Sequence, residues 1–103
     1  MSPKEHRPQG LYFEEFDVGD TMTTPGRTIT ESDVAQFSGL SGDYNEVHTN
    51  AEYAGKAMFG QRIAPGTLVL AIATGLSTRL ALLEGTVQAF ISADCKFKAP
   101  TFI

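Results

Sequence analysis

The sequence predicts an α+β domain in which a sheet is wrapped round one long helix. The first observation is a mostly apolar run from Pro65 to about Leu83, with apolar side chains on every side until Ser77 and Arg79. The second is the segment 86–97, in which apolar and polar residues alternate with the period of a strand. A helix that is apolar all round must be covered, and the alternating strand indicates that a sheet covers it.

The N-terminal part is predicted to contain a flexible tail followed by short strands. Residues 1–10 hold two prolines and four charged or titratable side chains, with little to bury. One domain is predicted over 11–103. Within it, β-branched residues at 21–24 and 27–30 flank a Pro-Gly turn, which favours two short strands.

Three helices are predicted in the rest of the chain. Thr30 or Ser32, followed by acidic residues, can cap the first helix, and Gly39 can adopt the left-handed conformation that ends it. Proline is favoured in the first turn, so the long helix is expected to begin near Pro65. The predicted spans are 32–38, 51–57 and 65 to about 83.

Composition bounds the class of protein. A chain of 103 residues holds one domain with a modest core, so a partner subunit is expected. Its eight basic residues form no cluster and the formal charge is −4, which argues against nucleic-acid binding. No apolar run reaches the ~18 residues that a membrane span needs. Cys95 is the only cysteine and there are two histidines, so we predict a cytoplasmic protein without a metal site.

The segment 41–48 carries the side chains of an acid/base site. Asp43, Asn45 and His48 set a carboxylate, an amide and an imidazole within a few residues of one another. The helix that begins near Gly66 offers backbone N–H groups to a developing oxyanion. Each residue also has a purely structural interpretation, as a turn cap, a partly buried histidine or a helix start.

These segments resemble the MaoC-like family of (R)-specific enoyl-CoA hydratases and dehydratases. The similarity covers about 11–103 and rests on the Gly-Asp-x-Asn-x-x-His pattern from Gly42, the segment 59–66 before the long helix, and the Phe-Lys-Ala-Pro run at 97–100. It implies the hot-dog fold, an antiparallel sheet wrapped round a central helix. The C-terminal strands that close this sheet in the family are missing, so the domain is expected to be incomplete. Either the chain is a fragment or another chain supplies the strands.

The resemblance also implies an activity and a set of roles. The reaction is hydration of a trans-2-enoyl thioester to the (3R)-3-hydroxyacyl thioester, or the reverse dehydration, and it needs no cofactor. Asp43 and His48 are the implied catalytic pair, and the backbone N–H of Gly66 is the implied oxyanion donor. Asn45 and Thr74 are implied supporting residues.

Substrate and assembly follow from the same resemblance. An acyl-CoA or acyl-carrier thioester is the expected partner, and a homodimer or higher homo-oligomer is the expected assembly. Glu46 stands where the family usually has proline, and Pro65 where many members have histidine, which leaves the substrate class open. Two other functions stay open: a hot-dog thioesterase that attacks the carbonyl carbon, and a non-catalytic module for acyl-thioester binding or assembly.

Overall fold

The structure is a computed structural model that describes residues 9–103. The described chain forms two compact units. One comprises the described residues up to Gly26 together with Thr74–Ala93, and the other comprises Arg27–Ala73 and Asp94–Ile103. We call them the first unit and the second unit. The helical elements in chain order are a 3₁₀ turn at Phe13–Glu15, α1 at Glu31–Ser41, α2 at Glu46–Thr49, α3 at Ala51–Gly55 and α4 at Gly66–Thr78.

Helix α1 begins as predicted but ends later than predicted. The Thr30 hydroxyl accepts a hydrogen bond from the Asp33 N–H at 3.2 Å, and the Asp33 carboxylate accepts one from the Thr30 N–H at 2.8 Å. This reciprocal capping box confirms Thr30 as the cap. The prediction that Gly39 ends the helix is wrong, because Gly39 continues α1 and Gly42 adopts the left-handed conformation, with φ at 79°. The Gly42 N–H closes the helix by donating to the Ser38 carbonyl at 2.8 Å.

The capping box gives a first testable prediction. Thr30→Ala is expected to lower the free energy of unfolding by about 1 kcal/mol, because the substitution leaves the Asp33 N–H without its side-chain acceptor. Ser32→Ala is the matched control, since the Ser32 hydroxyl only accepts an exposed bond from the Gln36 side chain; its cost is expected to stay within about 0.5 kcal/mol. Urea unfolding of both variants measures the difference. Equal losses would show that the box adds nothing to stability.

Two asparagines start the next two helices. The Asn45 side chain accepts from the Val47 N–H at 3.1 Å, and the Asn50 side chain accepts from the Tyr53 N–H at 3.1 Å. Helix α3 lies within the predicted span 51–57. Helix α2 lies outside the three predicted helices, because a helix of four residues is too short to produce an apolar periodicity.

Helix α4 begins at Gly66, directly after Pro65, but ends five residues before the predicted Leu83. After Thr78 the N–H groups bond to carbonyls three residues back instead of four, and Ala81 has a left-handed φ of 57°. The last turn therefore tightens and stops the helix. Within α4 only Leu68 is buried, so the sheet that was predicted to cover this helix on all sides is not in place around it among the described residues.

The core of the second unit is small. Its buried apolar residues are Val34, Ala54, Ala64, Pro65 and Leu68, contributed by α1, α3 and the start of α4. The C-terminal segment adds to this unit through an antiparallel bridge between Ile63 and Phe102, next to a 2.7 Å hydrogen bond from the Ala64 N–H to the Thr101 carbonyl.

The predicted sheet is not tested by these contacts. Among residues 9–103 the Ile63–Phe102 bridge is the only strand pairing. The segment 86–97 is largely exposed and has no neighbouring strand. A strand owes its stability to the ladder with its neighbours, so the alternating pattern at 86–97 cannot form one alone. The sheet stays a prediction.

The first unit joins the beginning of the described chain to the segment after α4. The Gly10 N–H donates to the Glu84 carbonyl at 2.8 Å, and the Leu11 N–H donates to the Leu82 carbonyl at 2.7 Å. The flexible tail predicted at 1–10 lies outside the described residues except for its last two. No helix in the described part of the chain is long and apolar enough to cross a membrane.

Candidate active site

The loop between α1 and α2 is built from side chains that bond to the backbone two residues further on. The Ser41 hydroxyl accepts from the Asp43 N–H, the Asp43 Oδ1 accepts from the Asn45 N–H, and the Asn45 Oδ1 accepts from the Val47 N–H, each at 3.1 Å. Such turns are typical of Ser, Asp and Asn. They hold the Asp43 carboxylate by one oxygen, so that the other oxygen, Oδ2, is available to a neighbour.

His48 lies in α2 and is largely buried, with 9% of its surface exposed. Its Nδ1 lies 2.7 Å from the Ile63 carbonyl oxygen. Because a carbonyl oxygen can only accept, Nδ1 carries the hydrogen of this bond. In the neutral ring the other nitrogen, Nε2, is therefore an acceptor with a free lone pair.

The structure brings Asp43 and His48 together, as the motif spacing predicted. The Asp43 Oδ2 lies 3.8 Å from His48 Nε2. This distance exceeds the ~3.2 Å limit of an N–H···O bond, and a water beside the two atoms can bond to both at ~2.8 Å. The pair can therefore hold a water whose proton is directed at an unprotonated nitrogen.

Gly66 begins α4 and lines the same cavity as His48. A Cβ atom placed on Gly66 would lie 3.0 Å and 3.1 Å from two ring carbons of Phe97, closer than side chains normally pack. Glycine at this position lets the Phe97 ring lie against the backbone. The first N–H groups of a helix have no intrahelical acceptor and carry the positive end of the dipole.

A cavity of about 500 Å³ lies within the second unit, and Asp43 is not among the residues that line it. His48 and Gly66 line it, together with apolar side chains and one charged residue, Lys98. Its volume is within the range of pockets for small ligands, and an apolar wall with few polar groups is typical of them. The apolar lining includes Met58, Phe59, Ile63, Val69 and Phe97.

The two predicted supporting residues lie in different units, and the supporting role of each stays a prediction. Asn45 lies beside the pair, where it caps α2 and donates its N–H to Asp43. Thr74 lies in α4 but belongs to the first unit, so its support of the pair stays a prediction. Within residues 9–103 there is no group of three His, Cys, Asp or Glu side chains that could hold a metal ion.

Sequence reasoning missed an ion pair that reaches His48. The Arg62 guanidinium donates to both oxygens of the Glu31 carboxylate, with Nη1 at 2.9 Å from Oε1, and the same Nη1 lies 3.4 Å from the His48 carbonyl oxygen. The hydrogen bonds between the two side chains lower the pKa of Glu31 and raise the pKa of Arg62. The two residues are 31 positions apart, and no local pattern marks such a pair.

The Glu31 carboxyl makes stability depend on pH. Its pKa lies below the ordinary value of 4.5, so the stabilisation is complete above that pH and is lost as the pH falls through the folded pKa. We expect the free energy of unfolding to fall with acidification below about pH 4.5 and the fall to be shallower in Glu31→Gln. Denaturant unfolding at a series of pH values measures both slopes. Identical slopes would contradict a pKa that differs between the folded and unfolded states.

Comparison with known proteins places the chain in a family. The model of the MaoC-like domain matches residues 15–103. The chain is 40% identical over 93 residues to an (R)-specific enoyl-CoA hydratase from Rhodospirillum rubrum. The matched region covers 89% of this chain and 62% of the relative. The chain is also 36% identical over 94 residues to a 3-hydroxybutyryl-CoA dehydratase from Methylorubrum extorquens, covering 90% of this chain and 57% of the relative.

A solved structure agrees with these relatives. The monoamine oxidase regulatory protein from Archaeoglobus fulgidus superposes with a TM-score of 0.81 at 38% sequence identity, covering 91% of this chain and 64% of that one. The chain thus spans less than two thirds of the length of each of these proteins. Because the family model matches almost all of the described residues, the chain belongs to the MaoC-like domain family.

Proposed function

We propose that this protein hydrates trans-2-enoyl thioesters, such as enoyl-CoA, to (3R)-3-hydroxyacyl thioesters and catalyses the reverse dehydration. The observation that carries the proposal is the 3.8 Å gap between Asp43 Oδ2 and His48 Nε2, on a ring whose other nitrogen is already bound to Ile63. The names of the hydratase from Rhodospirillum rubrum and the dehydratase from Methylorubrum extorquens support the same class of reaction.

In the proposed mechanism Asp43 and His48 hold one water between them. His48 Nε2 takes a proton from this water while the water oxygen attacks C3 of the substrate. The electron pair of the C2–C3 double bond moves toward the thioester and gives an enolate. The enolate then takes a proton at C2 from the protonated pair. One hydroxyl and one hydrogen have been added, and because both come from the same side the addition is syn.

The enolate oxygen needs a donor of its own. We assign this role to the backbone N–H of Gly66, since it lies at the start of α4 and lines the cavity that His48 also lines. The Phe97 ring lies against the Gly66 backbone at this point. Asn45 supports the pair by shaping the loop, and Thr74 is proposed to support it from α4.

The substrate carrier, the absence of a cofactor, the assembly and the location are proposed on the same basis. The substrate carries its acyl group on CoA or on a carrier protein, and the chemistry uses no cofactor and no metal, since the water, the base and the oxyanion donor are all supplied by the chain and solvent. We propose a homodimer or larger homo-oligomer in the cytoplasm. The exposed side chains of Val87, Phe90, Ile91 and Phe97 support an assembly in which the predicted strand acquires neighbours.

The test is incubation with crotonyl-CoA. We expect the absorbance of the enoyl thioester to fall and the product to be (3R)-3-hydroxybutyryl-CoA, identified by chiral chromatography. Release of free CoA thiol without 3-hydroxyacyl product would identify a thioesterase instead. Protection against heat by the thioester without any product, over a range of acyl lengths, would identify a binding module.

A further inference from the structure

Helix α2 is held in place mainly by groups outside itself. It has four residues, from Glu46 to Thr49, and a helix this short is not stable on its own. Asn45 caps its beginning. It also contacts α3 and α1. Arg62 and Ile63, two consecutive residues shortly before α4, add hydrogen bonds to its backbone and to the His48 ring.

Ile63 fixes the ring of His48 and the backbone before it. Its carbonyl accepts the hydrogen of His48 Nδ1 at 2.7 Å, and its N–H donates to the Val47 carbonyl at 3.1 Å. The direction in which His48 Nε2 points therefore depends on where the Ile63 backbone lies. A shift of this backbone would turn the ring or release it to its other tautomer.

Arg62 connects that backbone to α1. Its guanidinium donates to both carboxylate oxygens of Glu31, in the first turn of α1, and Nη1 also lies 3.4 Å from the carbonyl of His48. A planar guanidinium bound at two points has a defined orientation, which a lysine ammonium in its place would not have. Arg62 is not among the residues that line the cavity.

We propose that Arg62 is a positioning residue for His48, which it holds by fixing the Arg62–Ile63 backbone to Glu31 of α1 and by its bond to the His48 carbonyl. The expected loss of turnover rests on the proposed hydration, whereas the expected loss of the His48 ring orientation does not. Loss of the guanidinium leaves Ile63 attached to α2 but no longer attached to α1. The His48 ring then loses its defined direction toward Asp43, with the loss expected in turnover and not in substrate binding.

The chain offers a matched control in a second arginine–carboxylate pair on the same helix. Arg27 Nη2 lies 2.6 Å from Asp33 Oδ1, also in the first turn of α1. Among the hydrogen bonds of the described residues, none links this pair to His48 or to Ile63. Arg27→Ala therefore removes an ion pair from α1 without removing the support of α2.

The first measurement is steady-state kinetics on enoyl thioester. Arg62→Ala is expected to lower kcat about 10- to 100-fold with KM within about twofold, as small displacements of a catalytic group do. Glu31→Gln and Arg62→Lys should give smaller losses of kcat, and they provide folded variants if Arg62→Ala does not fold. Arg27→Ala should retain the wild-type kcat. An equal loss of kcat in Arg62→Ala and Arg27→Ala overturns the proposal.

The second measurement needs no turnover. Long-range ¹H–¹⁵N NMR reports which ring nitrogen of His48 carries the proton, with His48→Gln to assign the signal. The wild type is expected to populate the Nδ1–H tautomer, and Arg62→Ala and Glu31→Gln a mixture of both, while Arg27→Ala retains the wild-type tautomer. An unchanged tautomer in folded Arg62→Ala or Glu31→Gln overturns the positioning role. If the variants show these tautomer changes but the wild type catalyses no hydration, the positioning role is supported and the proposed function is removed.

Discussion

His48→Gln is expected to lower kcat for hydration by about 10²- to 10⁴-fold, the usual effect of removing a general base. The glutamine amide can still donate a hydrogen bond to the Ile63 carbonyl, where the His48 ring donates at 2.7 Å. It cannot accept a proton from water at neutral pH, because an amide has no basic nitrogen. The fall in enoyl absorbance under saturating substrate measures kcat. The folded state of the variant is checked by its unfolding midpoint.

Three further variants define what the loss means. Asp43→Asn keeps an acceptor oxygen for the Asn45 N–H but removes the charge beside Nε2, and a loss similar to that of His48→Gln is expected. If the two residues act on one water, the double variant should be little worse than either single one. Tyr44→Phe is the control in the same loop, since Tyr44 is exposed. Its kcat should stay within about twofold of the wild type. A His48→Gln protein with wild-type turnover would remove His48 from the mechanism.

The largest expected effect on stability comes from Leu68. Leu68→Ala is expected to lower the free energy of unfolding by about 2 to 5 kcal/mol, because it removes buried methyl groups and leaves a cavity. Leu68 is 7% exposed and is the buried residue of α4. The core of the second unit has few other large side chains, so little can move into the space. Guanidinium unfolding of wild type and variant measures the loss.

Leu40 supplies the matched control for this substitution. It is also a leucine in a helix, α1, but its exposed fraction is 85%. Leu40→Ala should change the free energy of unfolding by no more than about 0.5 kcal/mol, since both states leave the side chain in water. A loss of the same size at both positions would mean that Leu68 is not part of the core.

The local signals of the sequence predicted helix starts better than helix ends. Thr30 and the residue after Pro65 mark the observed starts of α1 and α4, because caps and N-terminal prolines act on the nearest turn. Gly39 was predicted to end α1, yet the helix continues to Ser41. A glycine permits a left-handed residue but does not require it, and the choice between Gly39 and Gly42 depends on how the next loop is packed.

The apolar periodicity was a less reliable guide to burial, because burial depends on neighbouring elements. The run after Pro65 and the alternation at 86–97 describe which faces could be buried. Burial itself needs partner elements. In residues 9–103 the large apolar side chains of α4 other than Leu68 are only half-buried, and those of 86–97 are exposed. The pattern could therefore predict amphipathic or buried elements but could not establish the sheet that would bury them.

By itself the sequence determined the chemical groups of the site and their order, Asp43, Asn45 and His48, since a loop of a few residues must keep them near one another. Only the tertiary structure decided how His48 can act. The acceptor of its Nδ1 hydrogen is Ile63, 15 residues away, and Arg62 ties that segment to Glu31, 31 residues away. These contacts place the hydrogen of a neutral His48 ring on Nδ1 and leave Nε2 3.8 Å from Asp43. Their geometry depends on how distant segments pack, which residue spacing along the chain does not specify.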